Sequence, residues 1–448
     1  MHPSTTAKPR APGLAAALAL LLPAAVPAQN ISPETPLRLD YRLGFGIEHN
    51  DNILRTLDAA QSETLLLPRL AFALASDSER LSLQAAGDLE FRSYQNNSFD
   101  NELNTRLGLR GSFNILPQRL SWVFEDYLGL QPVDASAVDR PDNRQRTNVL
   151  VTGPTLSLRP SANSRLLGEL RYVDSWAEET ADFNSERISL AVRGLRQTSP
   201  RMSLSANLEY GDVEFDRADS RGQPYRRTDA YGRIDRRGAR SEWSLDLGGS
   251  RIAPDAGDSL SGLLARARLA FEPTESSRIE ARLSRQFADA VQDLVFAAPR
   301  LEDFDQPISL PSQRTSFLSA DLYRGIDASV GYVRDSAVGF LRADAYSREL
   351  DYLENDTLDQ EVRGAVLGAS RQLRSNLALS GFVGVDWRNY RFDGREDRES
   401  SAGLALRWQW LRNLGLDVGY SHNRRDSDVA TQVFRENRVS LTLTYTRR

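Results

Sequence analysis

The feature that most constrains this chain is an apolar/polar alternation of period two, sustained for longer than ordinary strands require. Across residues 81–91, Leu81, Leu83, Ala85, Gly87, Leu89 and Phe91 fall on one face, and Ser82, Gln84, Ala86, Asp88 and Glu90 on the other. Near the C-terminus, Val439, Leu441, Leu443 and Tyr445 alternate with Ser440, Thr442 and Thr444. Ile188, Leu190 and Val192 interleave with Arg187, Ser189 and Arg193. Leu263, Ala265, Ala267, Leu269 and Phe271 do so with Arg266 and Arg268. Successive side chains of a strand point to opposite faces, so each run makes one apolar and one polar surface. A helix would need apolar residues three and four apart, and no stretch beyond residue 28 sustains that spacing.

Strand length then separates two kinds of all-β protein. The alternating runs last roughly 10–14 residues, whereas soluble strands run about 5–6 and a tilted membrane strand needs about 9–11. Many long strands in a soluble sheet would leave open edges, which closure removes and a bilayer does not tolerate. The composition fits a closed barrel. It is 40% hydrophobic and 26% charged with a mean hydropathy of −0.46, as expected where only alternate residues meet lipid. Beyond the N-terminal segment no run of about 18 apolar residues occurs, so no transmembrane helix is expected.

The N-terminus has the layout of a secretory signal. Lys8 and Arg10 are basic, residues 14–22 are apolar, and Val26-Pro27-Ala28 is a small-residue cleavage site. The expected organisation is a signal peptide at 1–28, a short periplasmic segment at 29–36 and the barrel at 37–448. No cysteine follows the cut, so no lipoprotein anchor is expected, and the whole chain has none, so no disulfide can support it. Removing residues 1–28 takes away Lys8 and Arg10 and no acid, moving the net charge from −5 to −7. Nucleic-acid binding rests on neutralising phosphates and is not expected of such a chain.

The breaks between strands are of two alternating kinds. Short ones centre on 77–79, 117–118, 160–161, 199–200, 237–239, 273–274, 335–336, 374–375 and 412–413. Longer polar ones cover 51–62, 132–144, 177–182, 216–224, 288–320, 351–358, 393–398 and 426–435. Short periplasmic turns and long outer loops are the expected barrel topology, with an even strand number placing both termini inside the cell envelope. The expected fold is an up-and-down antiparallel transmembrane β-barrel of about 20 strands (18–22), beginning near Leu37 and ending at Tyr445. Tyr225–Arg236 is the weakest strand in this scheme, and 288–320 has room for an extra hairpin.

Face assignment yields candidate site residues. Arg106, Arg110, Arg187, Arg193, Arg266, Arg268 and Arg282, with Asp88 and Glu90, are expected on the lumen face, mostly as solvated groups. Trp122, Trp243, Trp408 and Trp410 near periplasmic strand ends, Trp176 near an outer end, and Tyr445 form a candidate aromatic girdle. Trp387 lies deeper. Closing ~20 strands at ~4.8 Å spacing and ~40° tilt gives a backbone diameter of roughly 40 Å, too wide for side chains to fill. Water, an inserted loop or cargo must occupy it. Residues 288–320 are the candidate plug, mixing Leu294, Val295 and Phe296 with Glu302, Asp303 and Asp305; a solvated surface loop is the alternative.

Catalytic chemistry has little support. His49 and His422 are the only histidines beyond the signal segment, both near outer strand ends. Ser421 and His422 are sequence neighbours on one strand and point to opposite faces, so they cannot form a dyad. Asp51, or Glu302 with Asp303 and Asp305, could offer oxygen ligands to calcium, but without EF-hand spacing. Gly44-x-Gly46 lies within a strand and lacks the helix of a phosphate loop. No catalytic residue, metal or cofactor is expected.

The first hairpin, Leu39-Asp40-Tyr41-Arg42-Leu43-Gly44-Phe45-Gly46-Ile47-Glu48-His49-Asn50-Asp51-Asn52-Ile53-Leu54-Arg55-Thr56, resembles the opening of the family known as putative β-barrel porin 2. The closing Glu436-Asn437-Arg438-Val439-Ser440-Leu441-Thr442-Leu443-Thr444-Tyr445 resembles that family's end. The shared features are a first strand rich in glycine and aromatics that runs into Asn-Asp-Asn-Ile, and the general strand–turn rhythm between the ends. The resemblance implies an outer-membrane barrel of a Gram-negative bacterium, associated with the PEP-CTERM/exosortase system and with exopolysaccharide production or export. It implies membrane lipids, the barrel-assembly machinery, polysaccharide and periplasmic export components as partners, and no catalytic residues. A general diffusion porin and a plugged structural or adhesive barrel are the alternatives. One departure is the extension past Tyr445 to Thr446-Arg447-Arg448, where many such proteins end on an aromatic residue.

Overall fold

A computed structural model describes residues 37–216, 223–297 and 317–447. The signal and periplasmic segments expected at 1–36 lie outside the described residues, as do Glu302, Asp303, Asp305 and the side chain of Phe296.

Twenty strands account for almost all of it. They are β1 (Arg38–Asn50), β2 (Glu63–Asp77), β3 (Leu81–Tyr94), β4 (Glu102–Leu116), β5 (Leu120–Pro132), β6 (Arg144–Ser161) and β7 (Ser164–Ala177). Then follow β8 (Ser185–Ser199), β9 (Met202–Phe215), β10 (Tyr225–Arg237), β11 (Ser241–Pro254), β12 (Leu260–Thr274) and β13 (Ser277–Ala288). After a short helix α1 (Ala290–Ala297) come β14 (Tyr323–Ser336), β15 (Gly339–Tyr352), β16 (Gln360–Arg374) and β17 (Leu377–Tyr390). The last three are β18 (Glu396–Leu411), β19 (Leu414–Ser427) and β20 (Phe434–Arg447). Every strand pairs antiparallel with its sequence neighbours, and β1 pairs with β20 from Tyr41↔Arg447 to Asn50↔Arg438. The sheet is therefore closed, with no edge to template aggregation or leave backbone groups bare in lipid.

The two faces follow the alternation. Leu43, Phe45 and Ile47 of β1, Leu190 and Val192 of β8, Leu245 and Leu247 of β11 and Leu441 and Leu443 of β20 are exposed on one parity. The opposite parity carries most of the charge, so the apolar face is the outer, lipid-facing one. β10 is a full strand although its sequence signal is weak, because its outer residues are Thr228, Ala230, Gly232 and Ile234. Ladder pairing with β9 and β11 along nearly its whole length imposes what periodicity alone leaves vague. Two further outer connections, at 95–101 and 255–259, complete the turn–loop alternation. Both are brief enough to pass for interruptions in a strand. Residues 288–320 contain α1, not an additional hairpin, among those described.

Gly153 occupies a position that only glycine can fill. Gly153 has φ +152°, and a Cβ there would stand 2.0 Å from the Leu170 carbonyl oxygen. The β6–β7 ladder is interrupted at 153–154, between Thr152↔Tyr172 and Thr155↔Glu169, without a change of register, and Pro154 there lacks a donor. The Gly153→Val variant is expected to fail to close β6 onto β7. Its yield of heat-modifiable, folded barrel in membrane fractions should fall well below that of wild type; an unchanged yield would contradict the assignment.

Candidate functional site

The site is the lumen and its outer mouth. All nine charged candidates lie on the parity opposite the exposed leucines, and the structure brings most of them together with a partner. Asp88 receives Arg106 at 2.9 Å and Arg69 at 3.3 Å. Glu90 meets Arg92 at 2.9 Å. Arg193 reaches Glu209 at 3.1 Å and Glu169 at 3.4 Å, Arg266 reaches Asp246 at 2.8 Å, and Arg282 reaches Glu280 at 2.7 Å. Arg110 donates to the Tyr127 hydroxyl at 3.1 Å and lies over its ring. Arg268 stands directly opposite Arg282. The pairs form because residues two apart on one strand, or opposite on adjacent strands, are close enough for an arginine to span to a carboxylate, and Arg106 and Arg282 remain more than half exposed while paired. Much of the wall's charge is consequently matched by a nearby group of opposite sign, with Arg268 and Arg282 as a like-charged exception, and salt screens what remains.

Across the outer half of the lumen runs α1. Its Ala290, Val291 and Leu294 bury against Tyr127, Val149 and Phe183, with Val151 and Val173 packed beside them. Asp289 caps it, accepting from the Gln292 amide at 3.1 Å, from the Tyr225 hydroxyl at 3.1 Å and from Arg187. Asp293 takes Arg348 at 2.7 Å and the Tyr323 hydroxyl at 2.9 Å. The partners come from β5, β6, β7, β8, β10, β14 and β15 through inward-facing side chains, and from Phe183 of the β7–β8 connection. The described part of 288–320 is thus an internal element and not a solvated outer loop. Burial would raise the Asp289 carboxyl, but the charge and hydrogen bond of Arg187 outweigh it and hold the group below the usual carboxylate range.

A second inward element was not legible in the sequence. The β5–β6 connection, 133–143, folds into the mouth and is gripped by its backbone carbonyls. Arg395 donates to the Ser136 oxygen at 2.7 Å; Arg425 donates to the same oxygen at 3.0 Å and to the Ala137 oxygen at 3.2 Å. Arg55 donates to the Asp139 oxygen at 2.6 Å. The guanidiniums are held from behind: Asp397 binds both Arg395 and Arg425, and Glu436 binds Arg55 and Arg438. Arg395 and Ser136 are 259 residues apart, and a carbonyl acceptor exists at every residue, so no local pattern announces the contact.

On the outer face, Trp122, Trp408 and Trp410 are well exposed, the last two stacked at 6.1 Å, and Tyr445 packs near Tyr41. Trp176 and Trp243 share the outward parity of Leu170 and Leu245 on their strands. Trp387 joins them: it faces outward three residues from the outer end of β17, opposite Arg398. His49 and His422 also face outward, hydrogen-bonded to Thr64 (3.3 Å) and Asn437 (2.8 Å).

Comparison with known proteins then bears on the last five strands. Residues 361–447 match the family described as putative beta-barrel porin 2. The porin 2 match spans β16 to β20 and contains Arg395, Asp397, Arg425 and Glu436 of the mouth. No curated protein matches the chain. Among solved structures, the siderophore receptor PirA from Pseudomonas aeruginosa is 12% identical with a TM-score of 0.47, covering 92% of this chain and 81% of its own. The FrpB iron transporter from Neisseria meningitidis is 9% identical at 0.44, covering 91% and 81%. OccK2 (OpdF) of Pseudomonas aeruginosa, solved with glucuronate, is 10% identical at 0.38, covering 92% and 98%. At such identities and scores these likenesses say nothing of cargo. The closed sheet, the apolar outer face and the porin 2 match make the protein a porin-like outer-membrane β-barrel.

The pH response of α1 follows from Asp289. A depressed carboxyl stabilises the docked form above its ordinary pKa, and the contribution is lost as pH falls through the depressed value. Amide-exchange protection of 290–297 is therefore expected to hold from pH 8 to 5 and to fall only below about 4, the ordinary aspartate range. In Asp289→Asn it should already be weak at neutral pH. Equal protection in both proteins would remove the anchor role.

Proposed function

We propose that this barrel conducts uncharged, hydrated solutes across the outer membrane through a lumen narrowed at its outer end, and that surface exopolysaccharide is its cargo. The observation that carries this reading is the pairing of the inner wall's charges. Opposed rings of unpaired charge would select ions by field; a locally neutral polar wall favours no sign and offers hydrogen bonds to hydroxyl groups. Among the described residues, α1 and 133–143 enter the outer half of the lumen, and the restriction is assigned to them. Passage of small neutral solutes alone is the second reading, favoured by the narrowness of that mouth.

Hydrogen bonds to a charged group contribute about 1.5–3 kcal/mol each, while fixing loop backbone costs about 1–2 kcal/mol per residue. Losing the two bonds from Arg425 should therefore tip 133–143 out of the mouth. In planar bilayers, Arg425→Ala is expected to raise conductance several-fold over wild type with little preference between cations and anions. Deleting the gene should lower surface polysaccharide. Intact polysaccharide with altered uptake of small solutes would select the second reading, and unchanged conductance in Arg425→Ala would refute the gated lumen.

A further inference from the structure

The outer ends of β16 and β17 hold buried polar groups that the fold does not satisfy. Gln360 and Tyr390 are directly opposite each other in the ladder and point into the barrel. Gln360 is 1% exposed and Tyr390 5%. Neither the Nε2 nor the Oε1 of Gln360 has a hydrogen-bond partner, and neither does the Tyr390 hydroxyl. Alongside, the Nε of the buried Arg425 is also unpartnered, while its terminal nitrogens hold Asp397 and the carbonyls of 133–143. Buried polar atoms are nearly always paired, because desolvating one without compensation is costly. Gln360 and Tyr390, opposite each other on adjacent strands, mark a place where a ligand completes the network.

We propose that Gln360 and Tyr390 form a subsite for adjacent hydroxyl groups of an uncharged saccharide, a proposal that rests on the uncharged-solute reading above. The donor and acceptor inventory decides the class. The amide needs an acceptor at Nε2 and a donor at Oε1, and the phenol can serve as either. An anion would leave Oε1 without a donor, and a cation would leave Nε2 without an acceptor. Neighbouring hydroxyls, each both donor and acceptor, satisfy all three atoms. The flanking cations Arg395 and Arg425 share Asp397 and give their terminal nitrogens to it and to loop carbonyls, and the Arg425 Nε remains a donor that a hydroxyl oxygen also satisfies. Access is coupled to the mouth: the face of Tyr390 lies 4.6 Å under the Arg395 guanidinium, which itself holds Ser136. Withdrawal of 133–143 frees Arg395 to swing away and uncovers the ring.

The test uses the full-length barrel purified in mild detergent, with maltohexaose as a neutral probe and a hexameric galacturonate as its anionic counterpart, read by calorimetry and thermal unfolding. Wild type is expected to bind maltohexaose more tightly than the galacturonate. Gln360→Met, close in shape but without the amide, and Tyr390→Phe should each weaken maltohexaose binding about tenfold, as loss of hydrogen bonds to a buried site does. Heat-modifiability on gels confirms that each variant is folded. No binding of maltohexaose by wild type, with Arg425→Ala still conducting, overturns the subsite and leaves the proposed function standing. Equal binding by wild type and Gln360→Met, with only a raised melting temperature in the variant, overturns it in favour of enclosed water. Absence of both binding and Arg425→Ala conductance overturns the subsite together with the reading on which it rests.

Discussion

Everything in this molecule depends on the requirement that backbone amides and carbonyls be hydrogen-bonded where no water can reach them. In a bilayer each unsatisfied group costs several kcal/mol, of order the whole net stability of an ordinary domain when summed over one bare strand. The ten-residue ladder between β1 and β20 removes the last open edge. Closure then fixes the rest: strand parity becomes inside and outside, leucines face lipid, and arginines face an enclosed aqueous space.

That enclosed space explains the arrangement of charge. A guanidinium on the lipid face would be costly, so the charges within the membrane's thickness collect on the inner parity. There, strand geometry sets them beside carboxylates, and the wall neutralises itself pair by pair. Where 133–143 and α1 enter the lumen, the same kind of group takes further partners. Arg395, Arg425 and Arg55 keep the carboxylates of Asp397 and Glu436 and add loop carbonyls, and Arg187 and Arg348 reach the acids at α1. The restriction at the mouth is built from the wall's own chemistry, which makes it sensitive to single substitutions.

Much of this was legible beforehand, though unevenly. Leu263–Phe271 and Val439–Tyr445 announced their strands because both faces differ sharply in polarity. Tyr225–Arg237 did not, because a strand with alanine, glycine and threonine outside relies on its neighbours for definition. The inner parity of Asp88, Arg193 and Arg266 was readable; their oppositely charged partners on adjacent strands were not, since pairing depends on register, and register is set by turns and by irregularities such as that between Leu158 and Ser161. Residues 288–320 could be singled out by length and mixed character as an internal element. The contact of 133–143 with Arg395 and Arg425 could not, because backbone carbonyls carry no sequence signature.

By itself, then, the sequence determined the class of object: a closed antiparallel barrel of about twenty strands with a lipid face and a polar face. Those properties are local, written in a period of two and in the alternation of short and long connections. Only the tertiary structure decided how open the lumen is, which charges cancel, and where buried polar atoms such as those of Gln360 and Tyr390 await a partner. These depend on the register between neighbouring strands and, at the mouth, on residues such as Ser136 and Arg395 that meet 259 positions apart.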